Sequence, residues 1–138
     1  MKTKRVLFLT GSRAEFGLLR PILAACDESD AIEPLLAVGG SHLVGSNPTI
    51  NEIRSEREID ALVPMQVDGR CSRLDDARSL ARGIEGCTDA IARLDPDLVL
   101  VLGDRIEVFA AASAASAHSI SRTWSSFPSG VIWASACM

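Results

Sequence analysis

Two short segments of the chain combine a glycine, an arginine and a glutamate at the same spacing. Gly-Ser-Arg-Ala-Glu occupies 11–15, Gly-Asp-Arg-Ile-Glu occupies 103–107, and each follows an apolar run. An arginine in the first turn of a helix opposes the helix dipole, at a cost of about 0.3–1 kcal/mol. A helix N-terminus attracts anions, and the planar guanidinium group suits phosphate or carboxylate. We therefore predict that Arg13 and Arg105 bind an anionic ligand beside the turn at Gly11.

The remaining residues of these segments also have a purely structural interpretation. Ser12 with Glu15, and Asp104 with Glu107, have the spacing of a capping box, in which the two side chains bind free N–H groups at a helix start. Arg105 could equally be exposed, or paired with one of the nearby carboxylates. Asp104 is either such a cap or, at the end of a buried strand, a group that transfers a proton. The sequence leaves these alternatives open.

A third candidate lies in a loop rich in Gly, Ser, Asn and Pro at 39–48. The loop carries His42, whose imidazole could contact a ligand or act as an acid or base near neutral pH. The alternative is a loop histidine that packs against its neighbours.

Strand-like and helix-like segments alternate, which predicts an α/β fold with a Rossmann-like, doubly wound parallel sheet. The predicted strands are 5–10, 32–38, 61–67 and 97–104, and the predicted helices are 18–29, 49–58, 71–94 and 105–120. Pro64 places the third strand at an edge of the sheet. In the strand order 3-2-1-4, ligands bind beyond the C-terminal ends of the first and fourth strands. The two glycine–arginine segments should therefore face each other across one cleft.

Charge and hydropathy exclude several classes of function. The net charge of −4 argues against a nucleic-acid surface, which needs clustered Lys and Arg. No apolar stretch approaches the ~20 residues of a membrane span. The apolar run at 6–9 is shorter than the ~7–15 residues of a signal peptide, so we predict a cytoplasmic protein.

The sequence gives no indication of a metal site. Its four cysteines have no C-x-x-C spacing, and we expect them to be buried small apolar residues: Cys26, Cys71, Cys87 and Cys137. Neither His42 nor His118 has a partner at metal-ligand spacing. Neither a G-x-G-x-x-G motif nor a P-loop is present, so no dinucleotide fingerprint is predicted.

Three motifs together resemble the N-terminal part of UDP-N-acetylglucosamine 2-epimerases. They are Thr-Gly-Ser-Arg-Ala-Glu-Phe-Gly (10–17), Gly-Gly-Ser-His-Leu (39–43) followed by Thr-Ile-Asn-Glu-Ile (49–53), and the strand and turn at 97–107. The resemblance covers roughly residues 4–120. The Gly-Ser-Arg-Ala-Glu and Leu-Gly-Asp-Arg forms are similar to the hydrolysing branch, which makes N-acetylmannosamine for sialic-acid-type sugars.

The resemblance implies half of a glycosyltransferase-B-type fold, in which two Rossmann-like domains clamp a UDP-sugar. The implied reaction removes the C2 proton and expels UDP to give a glucal, to which water then adds. It implies no metal or redox cofactor, and a homo-oligomeric enzyme. Asp104 becomes the candidate catalytic residue, and the candidate substrate-binding residues are Gly11, Arg13, His42 and Arg105.

The resemblance stops after Ile120. Residues 121–138 contain both tryptophans and no acidic residue, and they do not match the family's next motif. We hypothesise a frameshift, which sequencing of the coding DNA would decide. On this interpretation residues 1–120 form a truncated first domain without its fifth and sixth strands, and the UDP-binding second domain is absent.

The truncated-domain interpretation has two consequences, and two other functions are alternatives to it. An open sheet edge and an unpaired apolar tail, with Trp124, Phe127, Val131, Ile132 and Trp133, predict poor folding or aggregation. We expect no epimerase activity from the polypeptide alone. The alternatives are a non-catalytic module that binds a nucleotide sugar and a glycosyltransferase-B-type sugar transferase.

Overall fold

The computed structural model describes residues 2–120 and the backbone of 131–134. Strands and helices alternate along the described chain. The strands are β1 (Lys4–Thr10), β2 (Ile32–Gly39), β3 (Ala61–Val63), β4 (Leu98–Leu102) and β5 (Val131–Ala134). The helices are α1 (Arg13–Asp27), α2 (Ile50–Glu56), α3 (Arg73–Leu94) and α4 (Ile106–Ile120), with a 3₁₀ turn at Gly40–His42.

The strands form one parallel sheet in the order β3-β2-β1-β4-β5. The central strand β1 pairs with β2 on one side, where Leu7 lies opposite Leu35, and with β4 on the other, where Leu7 lies opposite Val99. The predicted α/β class and the predicted 3-2-1-4 order are therefore confirmed. Strand β3 lies at the edge, as Pro64 predicted, but it ends at Val63 rather than at residue 67.

The expectation that the chain lacks a fifth strand is wrong. Val131–Ala134 pairs in parallel with β4, so that Leu100 lies opposite Ile132. The outer side of β4 offers free backbone N–H and C=O groups, and a short β-branched and aromatic segment is well suited to pair with them. Trp124 and Phe127 of the apolar tail lie outside the described residues.

Helices cover both faces of the sheet, and each face has its own hydrophobic core. On one face α3 and α4 pack over Leu7, Leu9 and the buried Val99 and Val101 of β4. On the other face α1 and α2 pack over Val6 and Phe8 of β1 and over Leu36 and Val38 of β2. The residues of β4 that point to this second face are only partly buried: Leu98, Leu100 and Leu102.

The cysteines divide into buried and exposed residues. Cys26 and Cys87 are buried, as predicted, and burial raises the pKa of the Cys87 thiol to about 12. Cys71 is exposed, so the prediction is wrong there, because this residue precedes α3 in a surface loop. Cys137 lies outside the described residues.

Within residues 2–120 and 131–134, no helix is long and apolar enough to cross a membrane.

Candidate functional site

The ends of β1, β2 and β4 bring three loops to one edge of the sheet. Gly11 follows β1, the 3₁₀ turn with Gly40 follows β2, and Gly103 follows β4. The Ser41 N–H and hydroxyl both donate to the Gly11 carbonyl oxygen, over 2.8 and 2.9 Å. Since β1 lies between the other two strands, the loop at Gly11 is the centre of the candidate site.

The first loop forms only half of the predicted capping box. The Ser12 hydroxyl accepts a hydrogen bond from the Glu15 N–H, over 3.4 Å. The Glu15 carboxylate does not return the bond to Ser12; its Oε2 accepts from the Gly11 N–H over 2.7 Å. The side chain of Glu15 thus lies buried in the turn between β1 and α1.

One oxygen of Glu15 has no partner. Its Oε1 is buried without a hydrogen bond and lies 3.4 Å from the point where a side chain at Gly103 would begin. Burial raises the pKa of Glu15, and the negative charge of Glu107 adds to this rise, while the bond from Gly11 opposes it. The carboxyl group therefore holds a proton more readily than an exposed glutamate does.

The second loop uses its glutamate in a different way from the predicted cap. Glu107 is fully buried, and its carboxylate accepts hydrogen bonds from the Gln66 amide over 2.9 Å and from the Arg105 guanidinium over two contacts of 3.2 Å. Helix α4 begins at Ile106. The capping-box interpretation of Asp104 with Glu107 is therefore wrong, because the carboxylate is turned into the protein toward a cation and an amide.

Glycine is required where Glu107 meets the neighbouring loops. A Cβ at Gly11 would lie 2.6 Å from Glu107 Cγ. A Cβ at Gly40 would lie 2.4 Å from the Gly11 carbonyl oxygen, and φ at Gly40 is +58°. The sequence did not predict that Glu107 packs against Gly11 and Gly40, although the repeated glycine–arginine–glutamate spacing indicated that the two loops are related. The side chain of Glu15 lies near Gly103 of the second loop, and the side chain of Glu107 lies against Gly11 of the first.

Arg13 lies on the surface and is already paired. Its side chain is 71% exposed, and both carboxylate oxygens of Glu52 on α2 accept from its guanidinium group. The Nε contact measures 3.2 Å. The hydrogen bond to Glu52 raises the pKa of Arg13 further above its usual range.

Asp104 and Arg105 lie at the exposed start of α4. They line a cavity of about 620 Å³, whose wall continues along Ile106 and Phe109. Arg105 remains half exposed although it pairs with Glu107. Asp104 is thus accessible to a ligand, and Arg105 lies beside it.

His42 is fully buried and hydrogen-bonded through both ring nitrogens. Nε2 lies 2.9 Å from the Thr10 hydroxyl oxygen, and Nδ1 lies 2.5 Å from the Thr49 hydroxyl oxygen. The ring of Phe16 meets the imidazole edge to face, with the centroids 6.4 Å apart. Burial lowers the pKa of His42. This placement corrects the prediction of a ligand-binding side chain: His42 joins β1 to α2 inside the protein.

Arg13 and the pair of Asp104 and Arg105 lie at the ends of adjacent strands, but the residues that line the cavity at Asp104 all come from 104–116 and do not include Arg13. Arg105 and Asp104 together can bind an anion and exchange a proton with it, and Glu107 fixes the position of Arg105. In the described part of the chain, no three His, Cys, Asp or Glu residues are grouped so that they could hold a metal ion.

Comparisons with known proteins identify the family to which the chain is similar. The family model for UDP-N-acetylglucosamine 2-epimerase matches residues 24–122, which include the loop at Asp104. UDP-N,N'-diacetylbacillosamine 2-epimerase (hydrolyzing) from Legionella pneumophila is 32% identical over 81% of this chain and 30% of its own length. Polysialic acid biosynthesis protein P7 from Escherichia coli is 34% identical over 85% of the chain and 30% of its own length.

Solved structures show the same fold. A UDP-N-acetylglucosamine 2-epimerase from Listeria monocytogenes superposes with a TM-score of 0.72 at 22% identity, over 86% of this chain and 30% of that one. The Neisseria meningitidis enzyme, crystallised with UDP-GlcNAc, gives a TM-score of 0.70 at 23% identity, over 84% of this chain and 30% of that one. The chain therefore spans about a third of the length of its relatives, and it belongs to the UDP-N-acetylglucosamine 2-epimerase family.

Proposed function

We propose that the cleft between the loops after β1 and β4 binds UDP-N-acetylglucosamine, as part of a hydrolysing 2-epimerase. The observation that carries the proposal is the placement of two arginines and an accessible aspartate at adjoining strand ends, where open α/β sheets bind ligands. The name of the Legionella relative supports the hydrolysing reaction, and the ligand of the Neisseria structure supports the substrate.

Each exposed group has a role in this proposal. The guanidinium groups of Arg13 and Arg105 bind the diphosphate, since the planar fork of arginine suits phosphate oxygens. The backbone at Gly11, in the turn after β1, lies against the Glu107 side chain that holds Arg105. Asp104 exchanges a proton with the sugar. His42 acts indirectly, because it holds Thr10 and Thr49 in place.

The proposed reaction proceeds in two steps. Loss of the proton from C2 and departure of UDP from C1 leave a C1=C2 double bond in a 2-acetamidoglucal. Water then adds across that bond, which gives N-acetylmannosamine. The product serves sialic-acid-type sugars, a branch supported by the name of the Escherichia coli relative. The cytoplasmic location predicted from the sequence remains a prediction.

A binding experiment tests the assignment of Arg13. We expect Arg13→Gln to weaken UDP binding by about tenfold, because one charge-assisted phosphate contact is lost. Calorimetric or NMR titration with UDP would measure the change. Arg20→Gln is the matched control, since Arg20 pairs with Glu56 on the same two helices but lies farther from the strand ends. Equal affinities in the two variants would contradict the assignment.

A further inference from the structure

Arg13 does not present an empty guanidinium group to a ligand. Both of its hydrogen-bonding contacts go to the two oxygens of one carboxylate, that of Glu52. The carboxylate occupies the Nε–Nη2 edge of the guanidinium group, which is one of the two edges on which an arginine can hold a phosphate in a bidentate way. An anion that binds Arg13 at this edge must therefore replace Glu52.

The pair of Arg13 with Glu52 is placed so that it can separate. Its side chains are 71% and 46% exposed, so water can solvate both charges once they part. Exposed ion pairs contribute little to stability. The pair of Arg105 with Glu107 differs in this respect, because Glu107 is fully buried and also holds Gln66. Of the two arginines in the candidate site, Arg13 is the one whose partner is exposed to water.

A second cation, Arg20, lies close enough to Glu52 to act on its charge. Arg20 lies two turns farther along α1 than Arg13. The hydrogen bond from Arg13 is the largest cause of a lowered pKa at Glu52, and Arg20 lowers it further. Glu52 is thus ionised near neutral pH, and it is displaced by competition with another anion rather than by protonation.

We propose that Glu52 is an internal competitor that occupies the anion site of Arg13 until a diphosphate displaces it. The proposal rests on the proposed function, in which Arg13 contacts the diphosphate of a nucleotide sugar. It assigns Glu52 a role in specificity. A single carboxylate ligand gains nothing by replacing another carboxylate, whereas a diphosphate brings more charge and more acceptor oxygens.

Two variants of equal charge test the proposal in the full 138-residue chain. Glu52→Gln removes the competitor, and Glu56→Gln removes the partner of Arg20 at the next pair. Each raises the net charge by one unit, so general attraction of an anion changes equally. We expect Glu52→Gln to bind UDP about two- to fivefold more tightly than the wild type, in keeping with the small energy of an exposed pair. We expect Glu56→Gln to bind like the wild type.

NMR titration with UDP measures these affinities, and the Nε–H signal of Arg13 reports the exchange directly. Uridine, which lacks phosphate, should bind both variants equally. Glu52→Asp is a second variant that keeps the charge but shortens the reach, and it should bind UDP more tightly than the wild type, which has the same net charge. Thermal unfolding of each variant checks that it is folded.

The outcomes separate the two proposals. If the wild type binds UDP and Glu52→Gln binds it no more tightly than Glu56→Gln, the competitor role is overturned while the proposed function stands. If neither the wild type nor any variant binds UDP, both are overturned. Weaker binding by Glu52→Gln would show that Glu52 positions Arg13 instead, which also overturns the competitor role.

Discussion

At the scale of single residues, the candidate site depends on two glutamates that lie inside the protein. Glu15 binds the backbone of Gly11 and faces Gly103, while Glu107 lies against Gly11 and Gly40. Each glutamate thus fills space beside the neighbouring loop. The arginines next to them remain at the surface, since their charges are solvated there.

Adding one methyl group at Gly11 should therefore be costly. We expect Gly11→Ala to lower the free energy of unfolding by about 1–3 kcal/mol, because the new Cβ overlaps the buried Glu107 side chain. Gly17→Ala is the matched control. Gly17 is exposed inside α1 with nothing within 4 Å, so alanine there should stabilise the protein by about 0.5–1 kcal/mol. Urea unfolding measures both variants, and a neutral Gly11→Ala would contradict the described packing.

At the scale of elements, His42 ties the end of β1 to the start of α2. Its two hydrogen bonds reach Thr10, at the last position of the strand, and Thr49, which precedes the helix. A charged imidazole would be a donor at both nitrogens and is poorly solvated in this position. The connection therefore depends on the neutral form of His42.

Stability should fall as the pH drops below about 6.5, the usual pKa of histidine. Burial lowers the pKa of His42 in the folded state, so the unfolded chain binds the proton more tightly and is favoured at lower pH. The charges of Glu52 and Glu107 oppose this effect only in part. Thermal unfolding between pH 7 and pH 5 measures it. His42→Gln should show a smaller fall, and an equal fall in both proteins would exclude His42 as its cause.

The sequence predicted most of the elements and their order, because hydrophobic periodicity and turn residues act locally. β4 was the clearest strand, the alternation of strands and helices predicted a parallel sheet, and the 3-2-1-4 order is the common order of such sheets. The orientation of the Glu107 side chain into the protein could not be predicted in the same way. It requires Gln66 and Gly11 as neighbours, and these lie 41 and 96 residues away in the chain.

The pairing of Arg13 with Glu52 escaped prediction for the same reason. The two residues are 39 positions apart and meet only when α1 and α2 pack on one face of the sheet. The fifth strand was missed because the composition of 121–138 departs from the family pattern. Composition alone did not indicate that four of these residues pair with β4.

At the scale of the whole molecule, the candidate site is open. Arg13 and Asp104 are exposed, and Arg105 is half exposed, although a reaction that releases a glycosyl group benefits from exclusion of water. The relatives with the same fold are about three times longer than this chain. In the proposed function, these exposed groups form one side of the substrate cleft.

We expect the 138-residue polypeptide, assayed by itself, to release no UDP from UDP-N-acetylglucosamine above background. The reason is that a diphosphate and a sugar bound as proposed at Arg13, Asp104 and Arg105 would stay in contact with water. A coupled UDP-release assay measures turnover, and the hydrolysing Legionella pneumophila 2-epimerase, assayed with UDP-N,N'-diacetylbacillosamine, serves as the positive control for the readout. Clear turnover by the purified polypeptide would refute this expectation.

The pairing of β1 with both β2 and β4 also has a kinetic consequence. Contacts between β1 and β2 join residues 28 apart, such as Arg5 and Glu33, whereas contacts between β1 and the segment before β4 join residues 92 apart, such as Arg5 and Asp97. Closing the longer loop costs about 1 kcal/mol more in chain entropy. We therefore expect the β1–β2 half of the sheet to form early in folding. The contacts of Glu15 with Gly103 and of Glu107 with Gly11, and with them the candidate site, form only when β4 pairs with β1.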